Sequence, residues 1–342
     1  MNMMKAVGLQ KYLPIQEKDS LLDLTLEKPV PQGRDLLVRV KAVSVNPVDV
    51  KVRSPKDRVE SAPKVLGWDV AGVVEEVGES VTLFRPGDEV YYAGSITRPG
   101  GNSEFHLVDE RIVGYKPKSL DFAEAAALPL TAITAWESLF DRLGVSHDPA
   151  ENAGKTVLII GAAGGVGSIA VQIARRAGLT VIGTASRQES AEWAKSYGAQ
   201  HIISHYKPFV PQLQEQGFSS VDYILCLNET DQHWEQMMEA IAPQGKICSI
   251  VETDTPLNLL PLKMKSAAFV WETMFTRAKY ETADMIEQHH LLNKVAEWVD
   301  AGKLRTTLTK RLAPIHAETL RKAHELVETG AMIGKVVVER FE

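Results

Sequence analysis

VLIIGAAGGVGSIAVQIARRAG, from Val157 to Gly178, decides the fold. Val157 to Ile160 form an apolar run without polar alternation, the pattern of a strand buried on both faces. A glycine-dense turn follows, Gly161-Ala162-Ala163-Gly164-Gly165-Val166-Gly167. Ile169, Ile173, Ala174 and Ala177 then recur at helical spacing, and Gly178 is placed to end that helix. Strand, tight turn and helix start aim backbone N–H groups and a helix dipole at a pyrophosphate. The turn is not the literal G-x-G-x-x-G, and an ordinary glycine-rich connection is the competing reading.

Outward from this stretch, the chain alternates strand and helix. Strands are expected at Val157–Ile160, Thr180–Thr184, His201–Ile203, Asp222–Leu227, Lys246–Val251 and Ala267–Phe275. Six strands with intervening helices, among them Glu189–Tyr197 and His233–Ile241, are the count of a doubly wound dinucleotide domain. Residues 1–125 read differently, as short strands at Lys5–Leu9, Leu36–Val45, Val70–Gly78, Glu89–Tyr92 and Glu104–Val108, punctuated by turns such as Pro86-Gly87-Asp88. That spacing predicts a partly closed β-barrel. Phe122–Leu143 is helical with a break at Pro129, and the tail carries helices at Ile286–Ala301 and Ala317–Glu328 with strands at Leu308–Leu312 and Lys335–Phe341. The tail is placed to complete the first domain, giving 1–126 with 285–342 and a separate 127–284.

Composition narrows the class. The chain has 342 residues, 44% hydrophobic and 24% charged, with net charge −6. These values suit a two-domain globular protein, supply no electrostatic footprint for nucleic acid, and include no ~18-residue apolar span or signal-peptide core for a membrane. The two cysteines, Cys226 and Cys248, lie in apolar runs, which argues for buried thiols in a reducing cytoplasm.

At the end of the second expected strand stand Ser186 and Arg187, about twenty residues past the glycines, where an NAD-preferring site places Asp or Glu. No carboxylate there repels a 2′-phosphate, and a guanidinium and hydroxyl suit phosphate oxygens. NADPH is the expected cofactor; a solvated arginine at a helix start is the alternative.

Several motifs in order carry a family resemblance: Asn46-Pro47-Val48-Asp49, Leu66-Gly67-Trp68-Asp69-Val70-Ala71-Gly72, Pro86-Gly87-Asp88, Ala127-Leu128-Pro129-Leu130-Thr131-Ala132, Thr134-Ala135, the glycine turn, and Gly334-Lys335-Val336-Val337. The chain resembles the medium-chain dehydrogenase/reductase superfamily, in its zinc-free quinone oxidoreductase branch, and is similar to the zinc-type alcohol dehydrogenase-like subgroup. The resemblance implies a Rossmann doubly wound parallel sheet with a GroES-like β-barrel catalytic domain. Where zinc relatives have ligands, this chain has Asp49, Trp68 and Leu130, and no cysteine cluster exists for a structural zinc. No metal is expected.

The resemblance further implies an NADPH-dependent reductase of quinones or α,β-unsaturated carbonyls, working as a homodimer through the Ala267–Phe275 strand. A zinc alcohol dehydrogenase and a non-catalytic NADPH-binding protein are the alternatives. Asn46 is implied near the nicotinamide ribose, with Thr134, His205 and Asn228 as further cofactor contacts. His205 reads equally as a half-exposed loop histidine. Asp49 and Lys51 are the polar candidates for catalysis, Lys51 to stabilise an enolate or phenolate oxygen, or else as a surface side chain on an edge strand. Ser190 stands where quinone oxidoreductases often have lysine, which leaves Arg187 more of the charge recognition. Trp68, Trp271, Met274 and Phe275 are open to two readings, apolar pocket or core.

Overall fold

The computed structural model describes residues 2–341. The chain forms two units: one takes the residues up to Ile133 together with those from Phe275 onward, the other runs Thr134–Met274. The sequence pattern puts its own divisions at 126/127 and 284/285.

The first unit carries β1 (Met3–Tyr12), β2 (Leu22–Glu27), β3 (Asp35–Ser44), β4 (Lys56–Val65), β5 (Val70–Val77), β6 (Glu89–Tyr92), β7 (Phe105–Asp109) and β8 (Gly114–Tyr115). The antiparallel sheet β2-β1-β4 is separate from a larger one built on β3. β5 pairs along one edge of β3, from Leu36 to Val43. The other edge is shared, β7 taking Asp35–Arg39 and a C-terminal strand taking Ala42–Ser44. With partners on both edges, β3 buries residues on both faces, among them Leu36, Leu37, Val38, Ala42 and Val43. β2 and β4 were not legible as strands: β2 alternates half-buried and exposed residues, and β4 is largely exposed around Ser61-Ala62-Pro63.

The second unit holds β9 (Thr156–Ile160), β10 (Thr180–Thr184), β11 (His201–Ile203), β12 (Val221–Cys226), β13 (Ile241–Ser249) and β14 (Ala268–Trp271). They form one sheet in the order β11-β10-β9-β12-β13-β14, parallel throughout. That is the doubly wound arrangement, with its switch point between β9 and β12. β9 is buried along its whole length, as its unalternating apolar run requires. One face packs Leu158, Ile160, Ile182, Ile224 and Ile247 against Phe209, Leu213, Trp234 and Met237. β14 is shorter than the expected Ala267–Phe275, because the chain turns at residues 274–275 into the helix Thr276–Tyr280.

The tail adds β15 (Leu308–Leu312) and β16 (Lys335–Glu339), and β16 is the strand that completes the edge of β3. Two local expectations change. Asn46-Pro47-Val48-Asp49 opens a helix, Pro47–Arg53, so Lys51 lies on a helix and not on an edge strand. Pro47 presets the first helical φ, and the Asn46–Asp49 capping box satisfies the helix start. The helix Pro129–Trp136 continues as a π-turn, Glu137–Arg142, in which the Leu143 N–H reaches back five residues to the Ser138 carbonyl at 2.9 Å. Among the described residues no helix is long and apolar enough to cross a membrane. Cys226 and Cys248 are both free and buried.

Candidate functional site

The glycine turn leaves the carboxyl end of β9 beside the switch point. Gly161 sits at φ +87°, which a side chain resists, and its N–H donates to Thr184 Oγ1 at 3.0 Å. A Cβ on Gly167 would lie 2.1 Å from the Gly161 carbonyl oxygen, so the turn closes only on glycine there. Ala162 and Ala163 are buried beneath the turn, whereas Gly164, Gly165 and Val166 are partly open. The helix Gly165–Arg176 begins with Gly164 as its N-cap and no side-chain cap. Its first N–H groups thus face no capping oxygen of Gly164, which is the donor arrangement an anion uses. This cradle fits a dinucleotide pyrophosphate.

Around it, on the carboxyl ends of neighbouring strands, stand the other expected contacts of this unit. Asn228 follows β12, and its Cβ lies 3.8 Å from where a Gly161 Cβ would stand. Ser186 and Arg187 follow β10, both exposed. The Ser190 hydroxyl donates to the Arg187 carbonyl at 2.8 Å and accepts the Arg187 N–H at 3.2 Å. Ser190 thus fixes the helix start that presents Arg187 rather than offering charge. The nearest following carboxylate is Glu189, in the first turn of that helix. His205, after β11, is half-buried against Tyr206, with His233 at 6.2 Å between ring centroids. Burial lowers its pKa, so its ring is neutral at pH 7 and brings no charge to a phosphate. Thr134 is buried in the helix Pro129–Trp136.

In the first unit a buried polar cluster joins three distant motifs. Asp69 Oδ1 accepts the Leu130 N–H at 2.8 Å, and its Oδ2 accepts Asn46 Nδ2 and Lys335 Nζ, each at 3.0 Å. Lys335 also donates to Asn46 Oδ1 and, at 3.3 Å, to the Val45 carbonyl. Asn46, Asp69 and Lys335 are all buried. Both ends of the Asn46 amide are therefore engaged inside the unit, a use that its implied place by a ribose did not foresee. Asp69 and Lys335 were quoted as motif residues without a role. The available signal was a lone acid and a lone lysine opening apolar runs, Asp69-Val70-Ala71 and Lys335-Val336-Val337.

Asp49 lies beside this cluster, fully buried, its Oδ2 accepting the Asn46 N–H at 2.8 Å. Its Oδ1 has no hydrogen-bond partner. Burial is the main force pushing its pKa up to about 7, and the Asp69 charge adds to it; the Asn46 N–H and Lys335 pull the other way. Lys51, two residues on, is exposed.

The positions that correspond to zinc ligands do not suit a metal. Asp49 caps a helix, the Trp68 indole N–H donates to the Ser95 carbonyl at 3.2 Å, and Leu130 has an apolar side chain and gives its N–H to Asp69. Trp68 is buried with its ring edge-on to Phe275, 6.2 Å between centroids, so both belong to packed core. Among the described residues no group of three or more His, Cys, Asp or Glu could hold a metal ion.

With this geometry in place, comparisons with known proteins agree along the chain. Residues 32–132 match the alcohol dehydrogenase GroES-like domain, and residues 197–338 match the zinc-binding dehydrogenase family. A zinc-type alcohol dehydrogenase-like protein of Staphylococcus aureus is 46% identical over 335 residues, covering 98% of this chain and 99% of its own. The crystal structure of a putative zinc-dependent alcohol dehydrogenase protein from Rhizobium etli superposes with a TM-score of 0.95 at 55% identity, covering 100% of this chain and 99% of that one. A quinone oxidoreductase from Pseudomonas syringae gives a TM-score of 0.82 at 26% identity, over 98% and 99% of the two chains. The chain combines a parallel Rossmann-type sheet with a GroES-like unit, and it belongs to the oxidoreductases of the medium-chain dehydrogenase/reductase superfamily, among the zinc-type alcohol dehydrogenase-like proteins.

Proposed function

We propose that the protein is an NADPH-dependent reductase of quinones or α,β-unsaturated carbonyl compounds that works without zinc. The observation that carries the proposal is the pairing of a glycine cradle closed on Gly167 with Arg187, and no carboxylate, at the end of β10. The N–H groups of Gly161–Gly167 would hold the pyrophosphate, and Ser186 with Arg187 the 2′-phosphate. Asn228 and Thr134 would add polar contacts, and the neutral His205 a ring face. NADPH, when bound, supplies the hydride.

The chain's own residues then orient substrate and manage charge. With no electrophilic metal to polarise a carbonyl, quinones and conjugated enones suit the site, because their negative charge spreads to an oxygen as they are reduced. Lys51 is the exposed cation we assign to that oxygen. Asp49 carries its proton into the neutral range and anchors the start of the helix that presents Lys51. Asn46, bound between Asp69 and Lys335, fixes the end of β3 from which that helix departs.

A homodimer in a reducing cytoplasm completes the proposal. β14 pairs only with β13 among the described strands, and exposed Trp271, Leu259, Leu260 and Met264 lie in or shortly before it in the chain. A second copy pairing on that edge would cover unpaired backbone and apolar side chains together. Sedimentation at micromolar concentration should give a dimer, and a monodisperse monomer would refute that part.

The cofactor is tested by Arg187→Ala. It should weaken NADPH binding by about 1.5–3 kcal/mol, the worth of a charge-assisted contact, with NADH nearly unaffected. Equal losses for both would take Arg187 out of the phosphate site. NADPH oxidation with a panel of ortho- and para-quinones and enones tests the reaction, and binding without turnover would leave a nucleotide-binding protein.

A further inference from the structure

The glycine turn and the Ser186–Arg187 loop, both in the unit Thr134–Met274, lead into different helices. Gly165–Arg176 follows the turn, and Gln188–Ser196 follows the loop. A ligand that spans both needs them at a fixed separation. Chain continuity alone does not supply it, because a whole helix and β10 lie between Gly167 and Arg187.

A chain of hydrogen bonds crosses directly from one helix to the other. The Trp193 indole Nε1–H donates to Ser168 Oγ at 2.8 Å, and Ser168 Oγ donates to the Gly164 carbonyl at 2.7 Å. Chemistry fixes its direction. An indole only donates, a carbonyl only accepts, and a serine hydroxyl between them accepts one bond and gives its single proton. Ser168 is 0% exposed, so the centre of the link is closed to water. Serine often bonds back to the carbonyl four residues earlier in a helix. Here that carbonyl belongs to the N-cap of the helix that follows the turn, and the serine also accepts from a ring on the neighbouring helix. Tyr197 stacks on that ring, 4.5 Å between centroids and 27° between planes.

The Ser186–Arg187 loop is thereby hung between two ties to the turn. Ahead of it, Thr184 Oγ1 at the end of β10 accepts the Gly161 N–H at 3.0 Å. Behind it, Trp193 stands six residues past Arg187, about 9 Å along the helix axis, and reaches Gly164 through Ser168. The far end of the same helix is pinned too: a Cβ on Gly198 would stand 3.0 Å from Arg175 Cγ, on the helix that follows the turn. Held at its middle and its end against one partner, the helix has the direction of its first turn set. We propose that Trp193 and Ser168 are positioning residues for cofactor choice, which set the distance from the pyrophosphate turn to Arg187 by acting on the Gly164 carbonyl. The effect on cofactor choice rests on the reading of Arg187 as the 2′-phosphate contact; the link between the helices does not.

Trp193→Phe tests it, keeping a ring on Tyr197 and removing the donor. The NADPH dissociation constant should rise about fivefold, the worth of one hydrogen bond, and that of NADH should stay within about twofold. In the protein without nucleotide, amides of residues 187–192 should exchange with deuterium faster than in wild type, and those of β10 at an unchanged rate. Ser168→Ala cuts the link from the other helix and should shift both readouts alike. Adding Trp193→Phe to it should move the cofactor preference no further. Equal weakening of NADPH and NADH would overturn the proposal, and so would unchanged exchange at the helix start. Should Trp193→Phe fail to fold, Ser168→Ala reads the same two quantities. Where exchange quickens but the preference holds, Arg187→Ala decides. A preference that Arg187→Ala does shift would overturn the proposal. A preference that neither variant shifts would refute the phosphate reading of Arg187 and leave the helix link standing.

Discussion

The Gly161–Gly167 turn in one unit works by lacking side chains, whereas the Asn46–Asp69–Lys335 cluster in the other works by burying them. At the turn, open space and backbone N–H groups make room for an anion from outside. In the cluster, each polar group is answered from within: Asp69 by Lys335, Asn46 and the Leu130 N–H, and Asn46 by Lys335. On the proposed function one is a receptor; the other is a rivet joining the end of β3 to Asp69, just ahead of β5, and to β16. The difference predicts how each should fail.

The rivet should fail hardest. Lys335→Met removes the cation paired with Asp69 and leaves a buried carboxylate without that charge partner, a loss of about 3–5 kcal/mol. Urea unfolding measures it. A loss below about 1 kcal/mol would mean that the Leu130 and Asn46 donors suffice, and the cluster would then be no rivet.

The turn should fail through space. Gly167→Ala puts a Cβ 2.1 Å from the Gly161 oxygen, backbone that cannot swing aside, and overpacking of this kind costs about 1–3 kcal/mol. NADPH binding should fall at least about tenfold with it, since a 1.4 kcal/mol distortion of the cradle is enough. Gly164→Ala is the control. Its Cβ would meet the same oxygen at an ordinary 3.5 Å, so the loss should stay near 0.5 kcal/mol. Equal losses at the two glycines would remove the close approach as the reason for Gly167.

The same contrast explains what could be read from the chain. The turn, its strand and its helix are contiguous, and local spacing specified all three, as it did the strand Glu89–Tyr92 and the helix Ala317–Glu328. Asp69 and Lys335 find each other across 266 residues, and no local pattern encodes such a partner. Asn46 entered as a ribose contact through the family resemblance alone; the fold gives its amide Asp69 and Lys335 as internal partners. An edge strand was one of the two readings open for Lys51, and the helix was legible in the Pro47 start and the Asn46–Asp49 capping box. The π-turn was hidden for another reason. Its Glu137–Leu143 stretch has ordinary helical composition, and Arg142 at its far end finds Glu272 across 130 residues of chain.

Asp49 stands between the two designs, buried like the rivet but with one oxygen unanswered like the turn. Its folded pKa, raised to about 7 mainly by burial, lies above the ordinary aspartate value. The folded chain therefore holds a proton that the unfolded chain gives up, and stability is full at acid pH and declines as pH rises toward 7. Asp49→Asn keeps an oxygen to accept the Asn46 N–H but has nothing to titrate. Relative to that variant, wild type should lose stability between pH 5 and 7, by at most about 1.4 kcal/mol over any one pH unit, and the two curves should run parallel above that. Urea midpoints across pH 5–8 provide the measurement. Parallel curves throughout would mean that the Lys335 field keeps Asp49 ionised, which would move it fully into the rivet and remove it as a carrier of a proton at neutral pH.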